Sequence, residues 1–290
     1  MQVALQLLIT GFSLGSFYAL IAMGFSIIFG VTHAFNLAHG EMVLLSGYLA
    51  YVLCKATHFP FLATLPVCMM ALLVVALLLH ALLQRLREPF EVNSLLVTFG
   101  LALLLQNLML FFFSADYRLI PLDHTALLSV PSLQLAINEP QVLLISLSLA
   151  ATGAMHLILR GTFLGKALRA TIQDREGAAL AGIDVKAMNR IGFGLGGLLI
   201  GLAGPLFGQF AYLHPAGGLE ATVIAVVITI FAGVGRTRSI LAGGWLLGMA
   251  ESATVYAVGA SWREAVSAAL LITLLIWKPQ GILSHATRPS

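Results

Sequence analysis

Runs of apolar residues long enough to cross a bilayer recur along the whole chain, "VCMMALLVVALLLHALL" at 67–83 among them. About 20 consecutive apolar residues span the hydrocarbon layer as a helix, whereas a membrane barrel shows alternating segments of about 10, and these runs do not alternate. A soluble domain carries roughly 25% charged residues. This chain has 9% charged and 59% hydrophobic residues, too little polar surface to cover a soluble fold. The fold class is therefore all-α, a polytopic helical integral membrane protein forming one transmembrane domain over 1–290.

Apolar runs place spans near 3–29, 37–54, 60–83, 92–113, 141–159, 188–213, 219–235, 239–258 and 263–277, eight or nine in all because 30–41 is short and reads as an early broken helix. Basic residues then set the orientation. With 84–91, 160–187, 236–238, 278–290 and the loop-edge residue Arg190 in the cytoplasm, twelve of the fifteen lysines and arginines lie inside and only Lys55, Arg118 and Arg263 outside. The C-terminus is then cytoplasmic, and an odd span count puts the N-terminus outside. The formal charge of +3 is spread over short loops, so it does not form the basic stripe of a nucleic-acid binder. The first run has no basic lead-in or cleavage site and reads as retained. Cys54 and Cys68 lack metal spacing and suggest no disulfide framework.

Against this background "AFNLAHGEM" at 34–42 is an anomaly. Unpaired polar groups in hydrocarbon cost several kcal/mol each. Asn36, His39 and Glu41 either cap the next helix at an interface, or line a polar cavity beside a broken helix. His39 and Glu41, two apart on a helix, face different ways and make poor co-ligands for a metal. Glu251 lies deep in an apolar run and suits an interior role as proton carrier or cavity group. Glu220 follows "HPAGG" and suits a helix start, where a carboxylate meets the positive end of the helix dipole. His80 and His156 read as ordinary interfacial residues.

Two connections are long. Residues 114–140 read as an ordered external cap or loop. Residues 160–187 are the most polar stretch, with a helix expected from Lys166 to Ala181, a break or second N-cap at Asp174, and a C-cap at Gly182. Small and apolar residues among its charges (Ala167, Leu168, Thr171, Ala178, Leu180) suit docking to another protein or lying on lipid headgroups. "GTFLGKA" lacks the spacing and hydroxyl of a phosphate loop, so any ATPase is on a separate chain. Glycine pairs four apart (Gly11/Gly15, Gly192/Gly196, Gly197/Gly201, Gly204/Gly208, Gly244/Gly248) mark close helix contacts, fixed or sliding. An ion-coupled carrier or channel using Glu41 or Glu251 is the rival reading. A membrane enzyme finds no nucleophile–base constellation to support it.

Four stretches together resemble the branched-chain amino acid ABC transporter permeases of the LivH type: "GFSLGSFYALIAMGFSIIFGVTHAFNLAHGEM", "LLVTFGLALLLQN", "GKALRATIQDREGAALAGID" and "WKPQGIL". Lys278 stands where that family often has arginine. The resemblance implies an importer subunit of a bacterial inner membrane, working with a second related permease, two cytoplasmic ABC ATPases and a periplasmic substrate-binding protein. It implies no cofactor on this chain, ATP and Mg being held by the ATPase. It also implies a coupling loop carrying Lys166, Arg169, Asp174, Arg175, Glu176, Gly182 and Asp184, and a translocation path at Asn36, Ala38, His39 and Gly40. The substrate stays open, because relatives of this kind take urea and short amides as well as amino acids.

Overall fold

The computed structural model describes residues 2–121, 127–130 and 135–259, with isolated positions beyond Gly259. The expected ninth span at 263–277 falls mostly outside the described residues, and Asp123, Arg263, Lys278 and Arg288 lie outside them. Eight long helices coincide with the other eight expected runs: α1 (Gln2–Thr32), α2 (His39–Thr57), α3 (Phe61–Leu83), α4 (Phe90–Phe113), α5 (Glu139–Gly161), α8 (Val185–Phe210), α9 (Gly218–Ala232) and α10 (Thr237–Ala257). Two short helices, α6 (Phe163–Gln173) and α7 (Arg175–Leu180), intervene. Six segments are long and apolar enough by themselves to cross a membrane; α2 and α10, with more polar residues, fall below that threshold. The loop 114–140 adds a small antiparallel pair, β1 (Leu127–Val130) with β2 (Leu135–Asn138), Leu127 opposite Asn138.

Burial orders the helices. The apolar window of α1 is 94% buried and that of α8 78%, against 11% for α4. α1 and α8 therefore form the centre, while α3, α4 and α5 turn apolar faces outward, with Leu96, Phe111 and Phe112 of α4 exposed. Faces of that kind are stable only against lipid or another chain.

Small residues let the centre close. α1 and α10 run antiparallel with Gly15 against Gly244 and Gly11 against Gly248, so two small-xxx-small motifs from opposite ends of the chain meet backbone to backbone. A Cβ at Gly15 would sit 2.6 Å from the Gly244 carbonyl oxygen. α8 uses three glycine faces: Gly192 and Gly196 on α1, Gly197 and Gly201 on α3, and Gly204 on α2. Trp245 closes the α1–α10 seam by donating to Ser16 Oγ (3.1 Å) and packing edge-on to Phe12 (5.2 Å).

One end of the bundle carries α6, α7, the α3–α4 turn and the α9–α10 turn; we call it the loop end. The opposite end holds residues 114–121 and 211–217, joined by paired backbone bonds between Arg118 and Leu213 (3.0 and 2.7 Å).

Candidate functional site

The chain leaves α1 at Thr32 and does not start α2 there. Residues 33–38 double back alongside α1, so that His39, the first residue of α2, reaches the carbonyl of Ile21 (2.9 Å) and packs edge-on to Phe25 (5.4 Å), near the middle of α1. A non-helical backbone buried this deep needs partners for its own polar groups. Hydroxyls supply them. Thr98 Oγ1 of α4 accepts from Leu37 N (3.1 Å) and lies 2.9 Å from Phe35 O. Thr222 Oγ1 of α9 accepts from Gly40 N (2.8 Å) and lies 3.2 Å from Leu37 O. Asn36 Oδ1 accepts from Ala38 N (3.1 Å), turning the chain into α2, with Ala38 as its N-cap.

Asn36, His39 and Glu41 are all buried. Asn36 holds the turn. His39 Nε2 donates to the Ile21 carbonyl, which can only accept, and Nδ1 has no hydrogen-bond partner. Gly40 meets the Gly218 carbonyl so closely that no side chain fits. Glu41, 3% exposed, presses its carboxyl on Gly218 at the start of α9, and its Oε2 has no hydrogen-bond partner. Glu251, 1% exposed, accepts from Tyr18 Oη (2.5 Å) across the α1–α10 seam.

Beside this cluster, on the side of the opposite end, lies a cavity of about 500 Å³. Its walls are aromatic and aliphatic (Phe17, Phe207, Leu44, Tyr117), with His214 and Glu220 as its ionisable groups. Glu220 stands in the first turn of α9, as its sequence position suggests. None of Asn36, Ala38, His39, Gly40, Glu41 and Glu251 lines this cavity. Tyr18 does, linking Glu251 to it, and Val43 and Gly217 bring it next to Glu41 and Gly218. Tyr18, Thr98 and Thr222 are absent from the sequence expectations. The available signal is a hydroxyl inside an apolar run, where helix neighbours must satisfy it.

Valine at position 222 keeps the shape and removes the hydroxyl. Thr222→Val is expected to lower stability by about 1–3 kcal/mol, the cost of an orphaned buried donor, with Thr222→Ser close to wild type. Thermal unfolding in detergent checks both.

At the loop end, α6 and α7 divide at Asp174, whose carboxylate accepts from Gly177 N (3.0 Å) to cap α7. Gly182, at φ +83°, ends α7: its own N–H reaches Ala179 O and that of Ile183 reaches Ala178 O, both at 3.0 Å, the paired bonds of a left-handed helix stop. Asp184 caps α8 through Ala187 N (3.0 Å). With its amide turned to satisfy both neighbours, Asn189 donates to Val31 O (2.7 Å) and accepts from Arg175 (3.2 Å). So Asp174, Arg175, Gly182 and Asp184 shape the loop, while Lys166, Arg169 and Glu176 are exposed. The apolar residues divide against expectation. Ala167, Leu168, Thr171 and Ala178 are buried against the chain itself, whereas Phe163 and Leu180 stand 85% and 90% exposed. Ala167, Leu168 and Thr171 share one face of α6, held by the close contact of Gly165 with Leu159 of α5, and Ala178 is the buried residue of α7. His80, expected at an interface, is 5% exposed and packs on Phe193 (4.9 Å). Cys54 and Cys68 are free thiols.

Residues 7–275 match the family described as the branched-chain amino acid transport system permease component. BraD, the high-affinity branched-chain amino acid transport system permease of Pseudomonas aeruginosa, is 27% identical over 97% of this chain and 96% of its own length. LivH of Escherichia coli K12 is 28% identical over the same shares. The autoinducer 2 import permease LsrC of Shigella flexneri is 23% identical over 94% of this chain and 79% of its own. The solved structure of PsaBC from Streptococcus pneumoniae in complex with Fab shares the fold, with a TM-score of 0.52 at 10% identity over 95% of this chain and 92% of that one. The chain belongs to the family of branched-chain amino acid transport system permease components.

Proposed function

We propose that this chain is the membrane-spanning permease of an ATP-driven importer for branched-chain or related amino acids in a bacterial inner membrane. It works with a second related permease, two ATPase subunits that hold ATP and Mg, and a periplasmic binding protein that delivers the substrate. The loop end faces the cytoplasm, as does the C-terminus, following the basic residues. The opposite end, with the cavity of about 500 Å³, receives the substrate. Its aromatic and aliphatic walls suit an aliphatic side chain in transit, because they offer apolar contact without a tight polar cage.

The observation that carries the coupling role is the 162–184 unit. It is capped at every helix end and seated on α5, and it leaves Phe163 and Leu180 uncovered. A rigid element with two exposed apolar anchors is built to be gripped. ATP-driven closure of the ATPase pair then biases the bundle between inward- and outward-open states by binding one better than the other. Asn36, His39, Gly40, Glu41 and Glu251 support the path from behind: they fix the broken segment and the α1–α10 seam that border the cavity.

The test is reconstitution of this chain with its partner permease and ATPases in liposomes, with loaded binding protein outside and radiolabelled leucine followed. ATP-dependent uptake is expected. Gradient-driven uptake by this chain alone, indifferent to ATP, would replace the proposal with an ion-coupled carrier. ATP turnover without leucine uptake would keep the mechanism and move the substrate to another small solute.

A further inference from the structure

Four arginines converge on one cavity at the loop end. It holds about 380 Å³ where the end of α5, the helix α6 and the first turn of α10 meet. Arg160 comes from α5, Arg169 from α6, and Arg236 and Arg238 from the start of α10. Among the described residues no carboxylate lines it, and Arg160, Arg169 and Arg238 form no hydrogen bond or ion pair. Another cavity at this end, of about 400 Å³, differs. There Glu88 stands with Arg175 and Lys186, so its charges are partly balanced.

Gathering Arg160, Arg169 and Arg238 around one space with no carboxylate among its described lining residues is unfavourable, and an anion placed among them relieves the repulsion. The guanidinium fork matches pairs of phosphate oxygens, which gives each arginine two parallel hydrogen bonds to such a ligand. The walls are held in place: His156 Nδ1 of α5 lies 2.8 Å from Thr237 Oγ1 of α10, tying the two helices together. That bond also engages the Thr237 hydroxyl, and no side chain caps the first turn of α10, whose N–H groups add to the positive potential. Above the arginines, α5 turns Leu157 outward at 70% exposure, with only 28% of its apolar window buried. A ligand here thus meets cations at one end and a lipid-facing apolar helix at the other.

We propose that this cavity binds the phosphate group of an anionic ligand, and that the ligand its surroundings favour is an anionic phospholipid whose acyl chains follow α5. The site rests on this chain's own residues, so it stands or falls separately from the transport reading. The experiment uses the purified full-length chain in detergent, read by native mass spectrometry and thermal unfolding. It is titrated with phosphatidylglycerol, with phosphatidylcholine and with inorganic phosphate.

Wild type is expected to retain and be stabilised by phosphatidylglycerol but not phosphatidylcholine. Arg160→Gln with Arg169→Gln should weaken that binding about tenfold or more, the scale of losing charge-assisted bonds. Arg160→Lys with Arg169→Lys keeps the charge without the fork and should fall between. Arg85→Gln with Arg87→Gln, at the other basic turn of this end, should leave binding unchanged. Equal competition by inorganic phosphate would keep the phosphate chemistry and assign it to a soluble ester. Two outcomes would overturn the site: unchanged lipid binding in the glutamine variant, or an equal loss in the Arg85/Arg87 variant, which would mean a diffuse basic surface.

Discussion

Gly40→Ala is expected to damage this protein more than any other single-methyl change in the broken segment. The new Cβ would overlap the Gly218 carbonyl and lie 2.8 Å from Thr222 N. Both are backbone atoms of α9, so no side chain can swing aside and the two helices must part. Parting also pulls Gly40 N off Thr222 Oγ1, now 2.8 Å away. Overpacking costs typically about 1–3 kcal/mol, and an orphaned buried N–H about 1–3 more. Their sum takes a large share of the roughly 5–15 kcal/mol that holds a domain folded. At roughly 2–4 °C per kcal/mol for a chain approaching this size, unfolding in detergent should begin about 4–24 °C lower. Gly100→Ala, in α4 with open space around it, is the control and should be neutral or slightly stabilising, since alanine favours a helix by about 0.5–1 kcal/mol. Unfolding of Gly40→Ala at the wild-type temperature would show that α2 and α9 separate freely, and would remove the broken segment as a fixed support behind the cavity.

The helices were legible because each apolar run had the length its element needs, and eight of them are where the hydropathy puts them. Their partners were not. Gly11/Gly15 and Gly244/Gly248 announce close contacts, but nothing in the chain says that these two motifs, more than 200 residues apart, meet each other. The broken segment was visible from "AFNLAHGEM", whereas Thr98 and Thr222, which satisfy its backbone, look unremarkable in their own helices. In the 160–187 loop the difficulty is chemical. Asp174 and Asp184 cap helices, yet a carboxylate in a polar loop suits a partner equally well, because capping and docking draw on the same residue types. The apolar residues mislead in the reverse direction: periodicity tells which of them share a face of α6, and only packing tells that this face is turned inward.

Replacing Phe163 and Leu180 together with aspartate is expected to abolish ATP-driven uptake while leaving the chain folded. Neither side chain supports the bundle: at 85% and 90% exposure they contribute little to its packing. Surface changes of that kind shift stability by about 0.5 kcal/mol or less, so thermal unfolding should match wild type. In the proposed complex the balance is opposite. Fully burying a Phe or Leu side chain is worth about 1.5–3 kcal/mol, so two anchors supply roughly 3–6 kcal/mol of gross contact. At 1.4 kcal/mol per tenfold that is about 10²–10⁴ in affinity, before a buried aspartate adds its own penalty. Two readouts separate docking from chemistry. Co-purification of the ATPase with the variant should be lost, while the ATPase alone hydrolyses ATP at its usual rate. Asp174→Lys would be a poorer probe, because it removes the cap of α7 and reports on the loop's own fold. If the aspartate variant still binds the ATPase and imports substrate, the grip lies elsewhere. The exposed charges Lys166, Arg169 and Glu176 would then have to supply it through salt-sensitive contacts, a dependence that uptake measured across ionic strength would expose.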